Sequence, residues 1–109
     1  MSGKVKVTAS SGNVFKDLGL PNPEELLAKA ELVRHISGVI EQRGLTQVEA
    51  AEVLGTTQPK ISDLLRGRLA GFSMERLIRY LNALDRDVEI VVRRKARGRK
   101  HGNVSVIAA

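Results

Sequence analysis

The 109 residues contain no cysteine. Disulfides and thiolate metal sites are therefore excluded, which fits a reducing compartment. Tryptophan is also missing, and Phe15, Phe72 and Tyr80 are the only aromatic side chains. A core without large rings must come from Leu, Ile, Val and Ala, which favours helices packed on helices. No apolar run reaches the ~18 residues of a membrane span. The first residues, MSGKVKVTASSG, lack the apolar stretch of a secretory signal. A cytoplasmic protein making no membrane contact is the expectation. His35 and His101 each stand without a second ligand at metal spacing. There is no glycine-rich phosphate loop, no nucleophile beside a base and no carboxylate pair placed for acid–base work. No catalytic residue, metal or cofactor is therefore expected.

The length suits one small domain. The formal charge is +6, but its location says more than its size. Met1 to Val92 carries 12 basic and 12 acidic residues, so the excess lies wholly in Arg93, Arg94, Lys95, Arg97, Arg99 and Lys100. Those six bases form either a phosphate-binding arm or a solubilising tail. Within the neutral part the signs separate. Thr57 to Arg79 holds five bases (Lys60, Arg66, Arg68, Arg76, Arg79) against two acids, and Glu24 to Glu41 holds two bases against four.

Period and capping residues divide the chain. Residues 1–22 read as an N-terminal arm. Asn22 and Pro23 open a helix over about 24–43, with Glu24 and Glu25 at its positive end. Leu26, Ala30, Val33, Ile36 and Ile40 mark its apolar face, and Gly44 stops it. Thr46-Gln47-Val48-Glu49 is a capping box for a second helix, with Val48, Ala51 and Leu54 expected inward. A third starts near Thr57 or Gln58 with Pro59 in its first turn, and buries Ile61, Leu64 and Leu65. Ser73 caps a fourth that runs to about Leu84 and buries Leu77, Ile78 and Leu81. The alternation in DVEIVVRR then predicts a strand over 86–94, with Val88, Ile90 and Val92 on one side. Such a strand needs a partner, either from KVKVT near the N-terminus or from a second subunit. Residues 95–109 read as a basic flexible tail.

The second and third helices meet at Leu54-Gly55-Thr56, too short a join for an ordinary hairpin loop. A glycine there permits a left-handed backbone and a sharp corner. Ala51 is small enough for the next helix to cross nearby, and Ile61 fills the angle. Gln47, Ala51, Gly55 and Ile61 stand at relative positions 1, 5, 9 and 15, the spacing of a helix-turn-helix. TQVEAAEVLGTTQPKISDLLRG resembles the XRE (lambda-repressor-like) helix-turn-helix domains, over 22 residues of motif and about 60 of helical domain, Glu24 to Leu84. The wider chain, with NVFKDLGLPNPEELLAKAEL before the motif and the Val-rich strand after it, is similar to HigA-like antitoxins and the XRE regulators found beside RelE-type toxins.

The resemblance implies a mainly α, lambda-repressor-like bundle of four to five helices spanning 23–85, with the C-terminal strand used for dimerisation. It also implies a transcriptional regulator, a repressor that binds a palindromic operator in double-stranded DNA as a homodimer. The alternative it carries is an antitoxin that neutralises a RelE/HigB-like toxin and autorepresses its operon. In a recognition helix the first residues meet base edges, here Thr57, Gln58, Pro59, Lys60, Ser62 and Asp63. Gln58 is the leading base reader, through its amide to adenine. Thr57 either caps the helix or bonds a phosphate. Pro59 offers shape or contact with a thymine methyl, and Lys60 reaches a phosphate or guanine. Asp63 either accepts from cytosine or, the favoured role, orients Lys60 or Arg66. Gln47 is placed to grip a phosphate at the start of its helix, and Arg66 and Arg68 to reach the flanking backbone.

Overall fold

Pro23 begins the first helix because a missing N–H is no loss in a first turn. Its neighbour Asn22 holds φ +52°, and the Asn22 carbonyl accepts from Leu26 N–H at 3.0 Å. The computed structural model describes residues 18–20 and 22–107. Among them are four α-helices: α1, Pro23–Gln42; α2, Gln47–Leu54; α3, Gln58–Leu65; and α4, Met74–Ala83. A 3-10 turn, Leu69–Gly71, links α3 to α4. The chain divides into two compact units, Lys29–Val88 and the combination of Met1–Ala28 with Glu89–Ala109.

The Lys29–Val88 unit holds the rest of α1 and all of α2 to α4. Its largest fully buried side chains are Ile36, Ile61, Leu64, Leu77 and Leu84. Leu32, Val33, Val39, Ile40, Ala50, Ala51, Leu54, Leu69, Phe72, Tyr80 and Leu81 complete the core. The two rings meet edge to face, centroids 6.2 Å apart. The core is mostly aliphatic, as the scarcity of aromatics implies, but it also takes in Phe72 and Tyr80, which the expectation of Leu, Ile, Val and Ala alone left out.

Every helix stops by the same device. The N–H just after a left-handed residue reaches back five residues, and the N–H of the left-handed residue itself closes a three-residue loop inside. The outer bonds are Leu45 to Ile40, Thr56 to Ala51, Arg68 to Asp63 and Arg86 to Leu81, at 2.9–3.1 Å. Each such stop needs one left-handed residue. Glycine supplies three of them, and Asp85, at φ +63°, supplies the fourth. Arg43 compensates at that point: its guanidinium donates to the Leu84 carbonyl at 2.8 Å and to Asp85 Oδ2 at 3.1 Å. This ties the end of α1 to the end of α4.

Three inward assignments need correction. Val48 is 58% exposed, and the buried stripe of α2 is Ala50, Ala51 and Leu54. At 100° per residue Val48 lies about 110° from the centre of that stripe. Leu65 sits at the margin of α3 and is exposed. Ile78 is half-buried, and Tyr80 takes the inner position instead.

In the other unit Leu18-Gly19 forms a turn, and residues 89–107 contain no helix. The expected strand over 86–94 carries no ladder among the described residues, and Ile107 alone is assigned a single bridge. Ile90, Val91 and Val92 are exposed, the last at 91%. An extended segment gains strand character only from a hydrogen-bonding neighbour. The KVKVT alternative lies outside the described residues. Gly98 turns the basic stretch at φ +89°, and Arg99 donates to Asn103 Oδ1 at 2.6 Å.

Candidate nucleic-acid interface

The candidate interface begins at the first turn of α2. Thr46 Oγ1 accepts from Glu49 N–H at 3.1 Å, and Thr46 N–H donates to Glu49 Oε1 at 2.8 Å. This capping box fixes where α2 starts, and so where Gln47 stands. Eight residues after Gln47, the corner forms as its glycine requires: Gly55 adopts φ +68°, ψ +37°. Ala51, 6% exposed, leaves room beside it, and Ile61 is fully buried.

That corner brings the beginnings of α2 and α3 together. Gln58 Nε2 donates to Gln47 Oε1 at 2.9 Å. Each amide keeps its opposite end for another partner, since an Asn or Gln amide offers both donor and acceptor. Gln58 is exposed and Gln47 half-buried. Thr57, Gln58 and Pro59 form the exposed leading edge of α3. Thr57 is the N-cap by backbone geometry, but its hydroxyl makes no capping bond. Of the two roles open to it, side-chain capping is not the one seen.

Lys60 and Ser62 are half-buried. The Lys60 ammonium lies 5.6 Å from the centroid of the Phe72 ring, a cation–π distance. It therefore leans toward the loop after α3. The basic side chain beside Asp63 is neither Lys60 nor Arg66. Asp63 Oδ1 lies 3.4 Å from Arg68 Nη1. Gly67, at φ +75°, reverses the chain and returns Arg68 alongside α3. Arg66 closes α3 and is exposed, as is Arg68. Of the three residues expected to pair subunits, Val88 is half-buried while Ile90 and Val92 are exposed.

Sequence reasoning missed two features. One is Phe72 beneath Lys60. The other is a cleft beside the corner, lined in part by Arg76 and Arg79. Both arginines belong to the excess of bases between Thr57 and Arg79, which is the signal the sequence offers. Among the described residues no helix is long and apolar enough to cross a membrane, and no group of three or more His, Cys, Asp or Glu is placed to hold a metal ion.

Comparison with known proteins agrees with this geometry. A family model described as a helix-turn-helix domain matches residues 14–93. No curated protein matches the chain. A solved chain provisionally named an XRE family transcriptional regulator is 48% identical, with a TM-score of 0.75 over 82% of this chain and 100% of its own. From the corner at Gly55, the family match across most of the chain and that identity, the chain belongs to the XRE family of helix-turn-helix proteins.

Proposed function

We propose that this chain is a sequence-specific DNA-binding regulator of transcription, a repressor that binds a palindromic operator as a homodimer. The observation that carries the reading is the Gln47–Gln58 hydrogen bond at 2.9 Å. It joins a residue at the N-terminus of α2, where N–H groups attract phosphate, to one at the leading edge of α3. A duplex lying across both ends places a phosphate at Gln47 and an adenine edge at Gln58. Thr57, with its uncapped hydroxyl, reaches a phosphate. Pro59, Lys60, Ser62 and Asp63 line the same groove, and Arg66 and Arg68 hold the flanking backbone. Lys60 leaves the Phe72 ring to do so.

One such motif covers little DNA, so two copies are needed, with recognition helices ~34 Å apart or a multiple of that. Val88, Ile90 and Val92 supply the pairing edge. Two antiparallel copies bury Ile90 and Val92, which are 78% and 91% exposed in the single chain.

The alternative is an antitoxin that also holds a RelE/HigB-like toxin. It is favoured by Val104 and Ile107, apolar residues 54% and 46% exposed beyond the pairing edge. Selection of bound duplexes from a random pool, at physiological ionic strength, tests the main reading. A two-fold-symmetric sequence is expected to be enriched. Binding without preference overturns it. Co-purification of a basic toxin-like protein encoded beside this chain, lost on Ile107→Asp with duplex binding intact, decides for the alternative.

A further inference from the structure

Arg76, Arg79 and Tyr80 share one face of α4, at the i, i+3 and i+4 spacing that brings side chains together. That face borders an open cleft of about 270 Å³ whose other wall is the corner Leu54-Gly55-Thr56. The volume falls just below the usual range for small-molecule pockets, roughly 300–1,000 Å³. It suits a single charged group rather than a cofactor.

The charge balance of the lining is positive. Arg79 pairs with Glu75 at 3.1 Å, but both side chains are mostly exposed and the pair is weak. Arg76 is half-buried, and its guanidinium has no acid partner among the described residues. A part-buried cation without a counter-ion is unfavourable until an anion reaches it. The end of α2 opposes an anion with about −0.5 charge. Two guanidinium groups outweigh that even with Glu75 in place. Thr56 and Tyr80 add hydroxyl groups, so the lining offers both charge and neutral donors.

We infer that this cleft is an anion site that takes a phosphoryl group. Two planar guanidinium forks match the several oxygens of a phosphate better than the two of a carboxylate. The group is either a phosphodiester of a nucleic-acid backbone or a free phosphate monoester. Thr56 directly precedes the N-cap of α3, so an occupant sits one residue from the recognition helix.

The test uses the full chain and inorganic phosphate, titrated at constant ionic strength against chloride and followed by NMR. Saturable shifts are expected at the Gly55 and Thr56 amides and at Arg76 Nε. In Arg76→Gln/Arg79→Gln the affinity should fall by about tenfold or more, while spectra elsewhere stay unchanged. Glu75→Gln, which releases Arg79, should tighten phosphate by about twofold or more. The slope of duplex affinity against salt then separates the sources. A double variant whose slope is shallower by about one to two units identifies a backbone phosphodiester. An unchanged slope with lost phosphate saturation identifies a free phosphate. Uniform linear drift of all resonances, with the same duplex slope in the double variant, overturns the site. The phosphate titration needs no duplex, so it stands apart from the reading of the chain as a DNA-binding protein.

Discussion

At the scale of single residues, the amide pair is the most exposed to test. If Gln47 positions Gln58, Gln47→Ala should weaken binding to the preferred duplex and also blur the preference at the base that Gln58 reads. Gln58→Ala alone should relax one base position by about 1–3 kcal/mol. The double variant should then lose less than the sum, because the two act as one unit. Additive losses in duplex titrations would show that the bond at 2.9 Å does no positioning. Gly55 offers a second residue-scale test. Apart from Gly55 itself and its two chain neighbours, nothing lies within 4 Å of where a Cβ would stand, so Gly55→Ala meets only the backbone strain of φ +68°. Chemical denaturation should show a loss of about 1–2 kcal/mol. Both glutamines and the glycine were legible in the sequence, from motif spacing and cap chemistry. Their contact was not, because it depends on how two helices cross. The partner of Asp63 was misread for a related reason. Rules for helix surfaces pair residues three or four apart, whereas Arg68 lies five away, beyond the reversal at Gly67.

Among the elements, helix starts and stops were the most readable features. The Thr46–Glu49 box and the Ser73 cap sit where the sequence placed them, with Ser73 Oγ accepting from Arg76 N–H at 3.1 Å. Those signals are local and need no partner. The apolar face of α2 was less readable. Eight residues make just over two turns, and two stripes fit its valines and alanines almost equally well. Only packing against the neighbours chooses between them. The clamp from Arg43 is a contact between elements that no pattern reveals, since its partners lie 41 and 42 residues away. Arg43→Ala should lower the thermal midpoint by about 4–8 °C, corresponding to roughly 1 kcal/mol in a domain of this size. Asp85→Asn keeps the left-handed residue and the carbonyl bond, and should leave the midpoint nearly unchanged. Equal losses in the two variants would place the clamp in the carboxylate pair instead.

For the whole molecule, the proposed homodimer is what needs testing. The period-two pattern at Val88, Ile90 and Val92 predicts a strand, but the described residues form none there, because a strand is made by a neighbour and not by its own pattern. Ile90→Asp should convert a dimer at micromolar concentration to a monomer in analytical ultracentrifugation, with an unchanged helical spectrum. A variant that still sediments as a dimer removes the strand from the pairing scheme. The six bases from Arg93 to Lys100 give a separate prediction. Changing all of them to glutamine should make log affinity for duplex less steep in log salt by several units, at about 0.9 per lost phosphate contact, without altering which sequence is preferred. Such a result would identify the stretch as an arm on the backbone rather than a solubilising tail.

The division of the chain into two units bears on how such a protein changes over time. Every side chain proposed to read a base falls inside 29–88, whereas Ile90, Val92 and the basic run fall in the other. Substitutions beyond Val88 can therefore alter what the chain couples to without touching the side chains proposed to meet bases. Operator choice and choice of companion would then drift independently, and kindred chains could share a target motif while assembling with unrelated neighbours.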